Sequence, residues 1–339
     1  MSNSIDYTGA EPLVQAKNLK KHFEVKRKGM LHAVDDISFK IYPGETLGLV
    51  GESGCGKSTV GNVVMRLLPK TGGSLLYRGK DVFTEWPDQM ELHRKMKIIF
   101  QDPYTSLNPR KPVEKILSEA YVIHKLGGKA EIAKMVRDLC DRVELPHNLL
   151  NRYPHELDGG MRQVVGIARA LSLNPDFIVC DEPVSSLDVS VQARIINFLM
   201  DLQKELGLSY LFISHDLSVV RHISNRIAIM YLGQIVETAD TDEIFANAMH
   251  PYSIALLSAI PRVNTTSKVS RIVLKGDVPS PMNPKPGCRF APRCWMAHKE
   301  CLDKNQELVE AEPGHFVFCE FASESKEKAK EVHYSSLSG

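Results

Sequence analysis

Apolar and polar positions alternate through residues 12–50, where the β-rich runs LHAVDDISFKI and ETLGLV predict several strands. The period changes at Lys57. The spacing predicts a helix from Lys57 to Leu68, and GGSLLYRGKDV then returns to strands and turns. Helical spacing resumes from Pro112 to about Val143, in VEKILSEAYVIHKL and AEIAKMVRDLCDRV, with a Gly-Gly pair between them. Farther on, the pattern predicts a helix over Met161–Leu173, a buried strand over Asp176–Cys180, a helix over Val191–Leu206 and a second buried strand over Ser209–Ser214. A short helix and a strand pair around RIAIMYLGQIVE follow. Strands that alternate with helices imply an α/β fold built on a largely parallel sheet.

The pattern breaks near Pro261. GDVPSPMNPKPGCRFAPRC is proline-rich and has neither period, which marks a small irregular module over residues 261–325 after a large domain over 1–260. The polar stretch SESKEKAKEVHYSSLSG is expected to be mobile, leaving 326–339 as a tail. A chain of 339 residues with 43% hydrophobic and 24% charged positions can bury such a core, and a net charge of +1 gives no reason to expect nucleic acid as a partner. The basic run KHFEVKRKG is expected to be a solvated hairpin. No stretch reaches the roughly 18–20 apolar residues of a membrane helix, and the first thirty residues lack a signal peptide's apolar core. The chain therefore reads as cytosolic, with any membrane attachment supplied by a partner.

GLVGESGCGKSTVG follows a buried strand and opens a helix, the context that a phosphate-binding loop requires. Gly51, Gly54 and Gly56 let backbone N–H groups turn inward around a phosphate, and the helix N-terminus adds its dipole. Lys57 would reach the β/γ-phosphates and Ser58 would ligate Mg²⁺. The strand FIVCDEP delivers Asp181 to the carboxyl edge of the sheet, where it suits the shell of that Mg²⁺. Glu182, one residue on, is placed to polarise an attacking water as general base. The strand SYLFISHD brings His215 to the same edge, where a neutral imidazole can bond the γ-phosphate, and Gln101 after KIIF can reach the water or the Mg²⁺.

GESGCGKST, FQDPYTSLNP, the DGG stretch, VCDEPVSSLD and ISHD, in that order, resemble an ATP-binding-cassette ATPase: a P-loop NTPase cassette with a mixed sheet core and a helical subdomain. The resemblance covers residues 12 to about 250. It implies a Walker A loop at Gly51–Thr59, with Ser53, Cys55 and Thr59 among its nucleotide-binding residues. It also implies a Q-loop at Gln101, a Walker B pair at Asp181 and Glu182, a dimer-contacting loop at Ser185–Asp188 and a switch histidine at His215. Phe23 is the implied adenine-stacking residue, with His22 the alternative. HPYSIALLSAIP and KGDVPSPMNPKPGCRFAPRC resemble the C-terminal extension of oligopeptide/dipeptide importer ATPases. That implies an ATP-hydrolysing motor at the cytoplasmic side of the cell membrane, paired with a second ATPase subunit. Two transmembrane permease subunits and an extracytoplasmic substrate-binding protein would complete the assembly. Importers of the same family for nickel complexes or oligosaccharides stay open. A soluble cassette ATPase of repair or translation would need an inserted coiled coil or a second cassette, and neither is present.

Two features depart from the commonest pattern. Cys288, Cys294, Cys301 and Cys319 are spaced C-x5-C-x6-C-x17-C, unlike the paired C-x2-C of zinc ribbons. Four thiolates suit zinc or an iron–sulfur cluster by count, and the resemblance favours a structural 4Fe–4S cluster. In HELDGGMRQ, Asp158 stands where the family usually has serine before Gly159 and Gly160, a stretch that contacts the γ-phosphate held by the opposite subunit. A carboxylate about 4 Å from a phosphate charge costs on the order of 4 kcal/mol at an effective dielectric near 20. Aspartate is also a strong helix N-cap, and both readings can hold. The first leads to an asymmetric heterodimer, in which the site on this chain's own Lys57 does most of the hydrolysis.

Overall fold

A computed structural model of the chain describes residues 9–86, 88–260 and 271–335. Residues 1–8, 87, 261–270, where the module boundary is expected, and 336–339 lie outside the described residues. β1 (Val14–Val25) and β2 (Gly29–Ile41) form the hairpin that contains KHFEVKRKG. After β3 (Thr46–Val50) and α1 (Lys57–Val64), β4 (Gly72–Tyr77) returns to pair with β1, and β5 (Lys80–Asp81) closes an antiparallel sheet of order β2-β1-β4-β5. α2 (Gln89–Lys95), β6 (Met96–Ile99) and the single turn α3 (Pro103–Ser106) lead into a helical arm of α4 (Val113–Ile123) and α5 (Lys129–Arg142). α6 (Gly159–Leu171) runs back from the arm to the main sheet.

β7 (Phe177–Asp181), β8 (Ser209–Ser214), β9 (Arg226–Tyr231) and β10 (Gln234–Asp240) join that sheet, with α7 (Val189–Leu206) and α8 (Leu217–Ile223) between them in sequence. α9 (Thr241–Asn247) and α10 (Pro251–Ser258) end the cassette, and β11 (Val309–Glu312), β12 (His315–Val317) and α11 (Ala322–Ser335) end the described chain. Strand order across the sheet is β11-β12-β10-β9-β3-β8-β7-β6. β9, β3, β8, β7 and β6 run parallel, while β10, β12 and β11 join antiparallel.

Successive residues of a strand face opposite ways, so a strand covered on both sides must be apolar throughout. β7 and β8 follow this rule. Ile178, Cys180, Tyr210 and Phe212 pack toward the helical arm, whereas Phe177, Val179, Leu211 and Ile213 pack toward α1 and the antiparallel sheet. Helix starts are set by aspartates. Asp158 accepts from the Met161 N–H at 2.8 Å and Asp188 from the Val191 N–H at 3.0 Å, so α6 and α7 begin two residues before the apolar spacing does. α1 is shorter than expected: Arg66 takes a φ of 55°, and the Leu67 and Leu68 amides turn back onto the Asn62 carbonyl.

The C-terminal region is not a free-standing appendage. β12 pairs with β10 at Glu237↔Val317, extending the cassette's own sheet. Residues 326–335, expected to be mobile, belong to the helix α11, whose Ser325 is buried against the Met249 carbonyl and whose Lys326 reaches Glu312 at 2.7 Å. The same region clasps the β1–β2 hairpin. Asn283 bonds the Met30 amide and carbonyl, and Pro281 accepts from the His32 N–H.

Asp35 anchors this clasp. Its carboxylate meets His22 Nε2 at 2.8 Å, His32 Nδ1 at 2.9 Å and the Arg289 guanidinium. Burial alone would raise its pKa, but the two histidines and Arg289 outweigh that and hold the carboxyl near a pKa of about 2. A folded-state pKa below the unfolded one gives stability that is present above the unfolded value and lost as pH falls through the folded one. Asp35→Asn is therefore expected to cost about 2 kcal/mol at neutral pH. Denaturant titrations of parent and variant should converge between pH 4 and 2; a gap that stays constant through that window would contradict the assignment.

Candidate active site

The carboxyl ends of β3, β6, β7 and β8 open onto one cleft of about 950 Å³. It is lined by Gly51–Gly54 and Gly56–Thr59 after β3, Gln101 and Asp102 after β6, Glu182, Ser185 and Ser186 after β7, and His215 after β8. The glycines are needed for contact as well as for conformation. Gly56 has φ 112°, and a Cβ there would lie 2.0 Å from the Ala33 carbonyl; one at Gly51 would lie 2.1 Å from the Met230 carbonyl. Lys57 is buried, its ammonium donating to the carbonyls of Gly51 at 2.8 Å and Glu52 at 3.0 Å. Phosphate oxygens entering the cleft would compete with those carbonyls for the ammonium.

Ser58 Oγ donates to Asp181 Oδ1 at 2.9 Å, so a hydroxyl and a carboxylate are already paired at the loop's end. Burial raises the Asp181 pKa, aided by the charge of Glu182 and opposed by the Ser58 hydrogen bond and by Lys57. A divalent cation would take the place of that hydrogen bond beside the carboxylate, held by the Ser58 hydroxyl oxygen and Asp181, oxygen ligands that fit Mg²⁺.

Glu182 is the pivot of the cleft. Its Oε2 accepts from Gln101 Nε2 at 3.0 Å and lies 3.2 Å from His215 Nδ1. Its backbone has a φ of 45°, in the left-handed region, while its N–H continues the β7–β8 ladder onto the Ile213 carbonyl at 3.0 Å. A bulky non-glycine residue held there marks a local strain that the surrounding ladder enforces. The turn aims the carboxylate along the sheet edge. Nothing in the sequence signalled it.

Other sequence-derived candidates separate from the cleft in instructive ways. Phe23 lines it, under the Lys21 ammonium at 4.7 Å from the ring centroid, whereas His22 is held by Asp35 and stacked on His32. Cys55 belongs to the loop, yet its side chain is buried beneath it and its carbonyl accepts from Gly233 at 2.8 Å; burial pushes its thiol pKa up. Asp158, Gly159 and Gly160 do not line this chain's cleft but begin α6, with exposed Asp158 engaged as its cap. Leu31, Ala33, Leu256 and Pro281, which sequence reasoning missed, complete the wall around Phe23. Pro281 arrives from the C-terminal region through the Leu31↔Met282 bridge, a contact between segments that no local pattern announces.

The four C-terminal cysteines face one another closely enough for their charges to couple. The Ala291 N–H donates to the Cys288 carbonyl at 3.0 Å, and the Cys288 N–H to the Cys301 carbonyl at 2.8 Å. Burial raises the Cys288 thiol and pushes Cys294 up to about 11 and Cys319 up to about 12. A bound metal reverses that preference by taking the thiolate. No three of these sulfurs lie within 4.8 Å of one another. Four thiols gathered in one region suit zinc or an iron–sulfur cluster by the chemistry of the donor set.

Comparison with known proteins agrees with this architecture. A family profile described as ABC transporter matches residues 34–185, and one described as oligopeptide/dipeptide transporter, C-terminal region, matches 236–301. The chain is 50% identical over 325 residues to the putative oligopeptide transport ATP-binding protein YkfD of Bacillus subtilis, covering 94% of this chain and 99% of the relative. It is 48% identical over 316 residues to the dipeptide transport ATP-binding protein DppF of Escherichia coli, covering 91% and 94%. Among solved structures, cbiO1 of Clostridium perfringens, part of the ABC transporter complex cbiONQ, matches with a TM-score of 0.62 at 27% identity, over 72% of this chain and 93% of that one. With the cassette and its C-terminal extension both matched nearly end to end, the chain belongs to the ATP-binding subunits of the oligopeptide/dipeptide ABC transporter family.

Proposed function

We propose that this chain is the ATP-hydrolysing motor of a peptide importer, converting ATP binding and hydrolysis into movement of membrane subunits. The observation that carries the reading is the shared hold of Gln101 and His215 on Glu182, directly across the cleft's phosphate loop. In this reading Gly51–Thr59 cradle the phosphates, Lys57 neutralises the β/γ-phosphates, and Ser58 and Asp181 hold Mg²⁺ with Gln101 nearby. Glu182 takes the proton from the attacking water, His215 bonds the γ-phosphate and Phe23 stacks on the base. The chain works at the cytoplasmic face of the membrane as a peripheral subunit beneath two permease subunits fed by a substrate-binding protein. No described helix is long and apolar enough to cross a membrane, which is consistent with attachment through those partners.

The partner ATPase is a different chain. Asp158 would face the nucleotide held by the partner's loop, so a homodimer would place this carboxylate in both sites. Its engagement with the Met161 N–H tempers the charge without removing it. Cys288, Cys294, Cys301 and Cys319 hold a 4Fe–4S cluster that staples the irregular region, a reading supported by four free cysteines within one short segment.

Three outcomes test these assignments. In the assembled transporter, Glu182→Gln in this chain alone should lower ATP turnover by about 10²-fold or more while ATP still binds; survival of most turnover would place hydrolysis in the other site. Against that Glu182→Gln background, Asp158→Ser should raise the residual turnover at the partner's site at least about tenfold, and no rise would make Asp158 a helix cap only. Anaerobically purified protein should carry about four iron per chain by elemental analysis, a result that zinc alone, or neither metal, would contradict.

A further inference from the structure

Glu52 is the second residue of the phosphate loop and lines the cleft, a carboxylate beside a site that must accept a polyanion. A like charge at that place would repel ATP, and the repulsion would grow with each phosphate. The charge is answered from the C-terminal region. Arg293, the residue before Cys294, donates from Nη1 to Glu52 Oε2 at 2.8 Å and from Nη2 to Oε1 at 3.1 Å. This is a two-point pairing of a planar guanidinium with a carboxylate, the strongest geometry open to such a pair. The arginine side chain is 8% exposed and the glutamate 27%, so solvent screens the pair only in part.

The surroundings fix both partners. The Glu52 N–H donates to the Tyr252 hydroxyl at 3.0 Å, and the Glu52 carbonyl is one of the acceptors that hold Lys57. The aromatic rings of Tyr231, Tyr252 and Phe290 pack together at 4.7–5.4 Å between centroids beneath the contact. Arg293 itself lies at the end of the turn Ala291–Arg293, whose N-terminal neighbour is Phe290. The guanidinium thus has little freedom to turn away from the loop.

We propose that Arg293 is a positioning residue for the nucleotide site: it cancels the charge of Glu52 and holds that carboxylate back from the phosphates, so that the C-terminal region tunes ATP affinity in the same chain. Lysine at this position would keep the charge but lose the two-point hold. Methionine would leave the Glu52 side chain without its partner at the mouth of the site. Removing the carboxylate as well should then restore binding, because the penalty arises from Glu52 and not from damage to the module.

The test is equilibrium binding of Mg-ATP and Mg-ADP to the full chain with its cysteine site loaded, together with KM for ATP in the assembled transporter. Arg293→Met is expected to weaken ATP binding about tenfold and ADP binding less, with KM for ATP rising in step. The double variant Arg293→Met/Glu52→Gln is expected to return to within about threefold of the parent. ATP binding by Arg293→Met within twofold of the parent, or no recovery in the double variant, overturns the proposal. If Arg293→Met does not fold, Arg293→Lys carries the same comparison. A two- to threefold loss recovered by Glu52→Gln supports the proposal, and no loss or no recovery overturns it.

Discussion

Burial of the parallel strands on both faces is the constraint on which the site depends. β3, β7 and β8 have no solvent side, so their polar business is confined to their ends. Parallel pairing then sends all the carboxyl ends to the same edge. Phosphate loop, Ser58–Asp181 pair, Glu182, His215 and Gln101 converge because their strands share a direction, although 164 positions separate Gly51 from His215. The chemistry is concentrated by topology before any side chain makes its own contacts.

Much of this was legible in advance because it rests on local signals. Val-, Ile- and Phe-rich runs of strand length gave β7 and β8 to within a residue, and the glycine spacing of the phosphate loop requires a strand before it and a helix after it. Helix beginnings were less legible. A capping aspartate lies outside the apolar period, so α6 and α7 start earlier than the spacing indicates. The left-handed turn at Glu182 carries no signal at all, because an ordinary side chain is held there by the ladder and not by its own preference.

The larger difficulty was the C-terminal region, where the sequence shows prolines, polar residues and cysteines without a period. Irregular local structure concealed long-range order. Pro281 and Asn283 reach the hairpin, Arg289 reaches Asp35 and the Leu232 carbonyl, and Arg293 reaches the phosphate loop, each across more than fifty positions of chain. Contacts of that separation come from the closing of the whole fold, and no window of neighbouring residues encodes them. The helix α11 is hidden for a related reason: Ser325 packs on the distant Met249 carbonyl and Lys326 on Glu312, whereas its composition alone argues for a solvated chain.

The pairing of β12 with β10 bears on how the cassette could have been shortened or exchanged during descent. β10 would otherwise be a border strand with its peptide groups open to another chain, an invitation to aggregate. Glu237, in the middle of β10, is fully buried, accepts from the Met249 and His250 amides and meets His315 of β12 at 2.7 Å. The last strand of the cassette and the C-terminal extension are thereby committed to one another. A lineage that lost the extension would have to find both a new cover for the sheet's border and a new partner for an interior carboxylate.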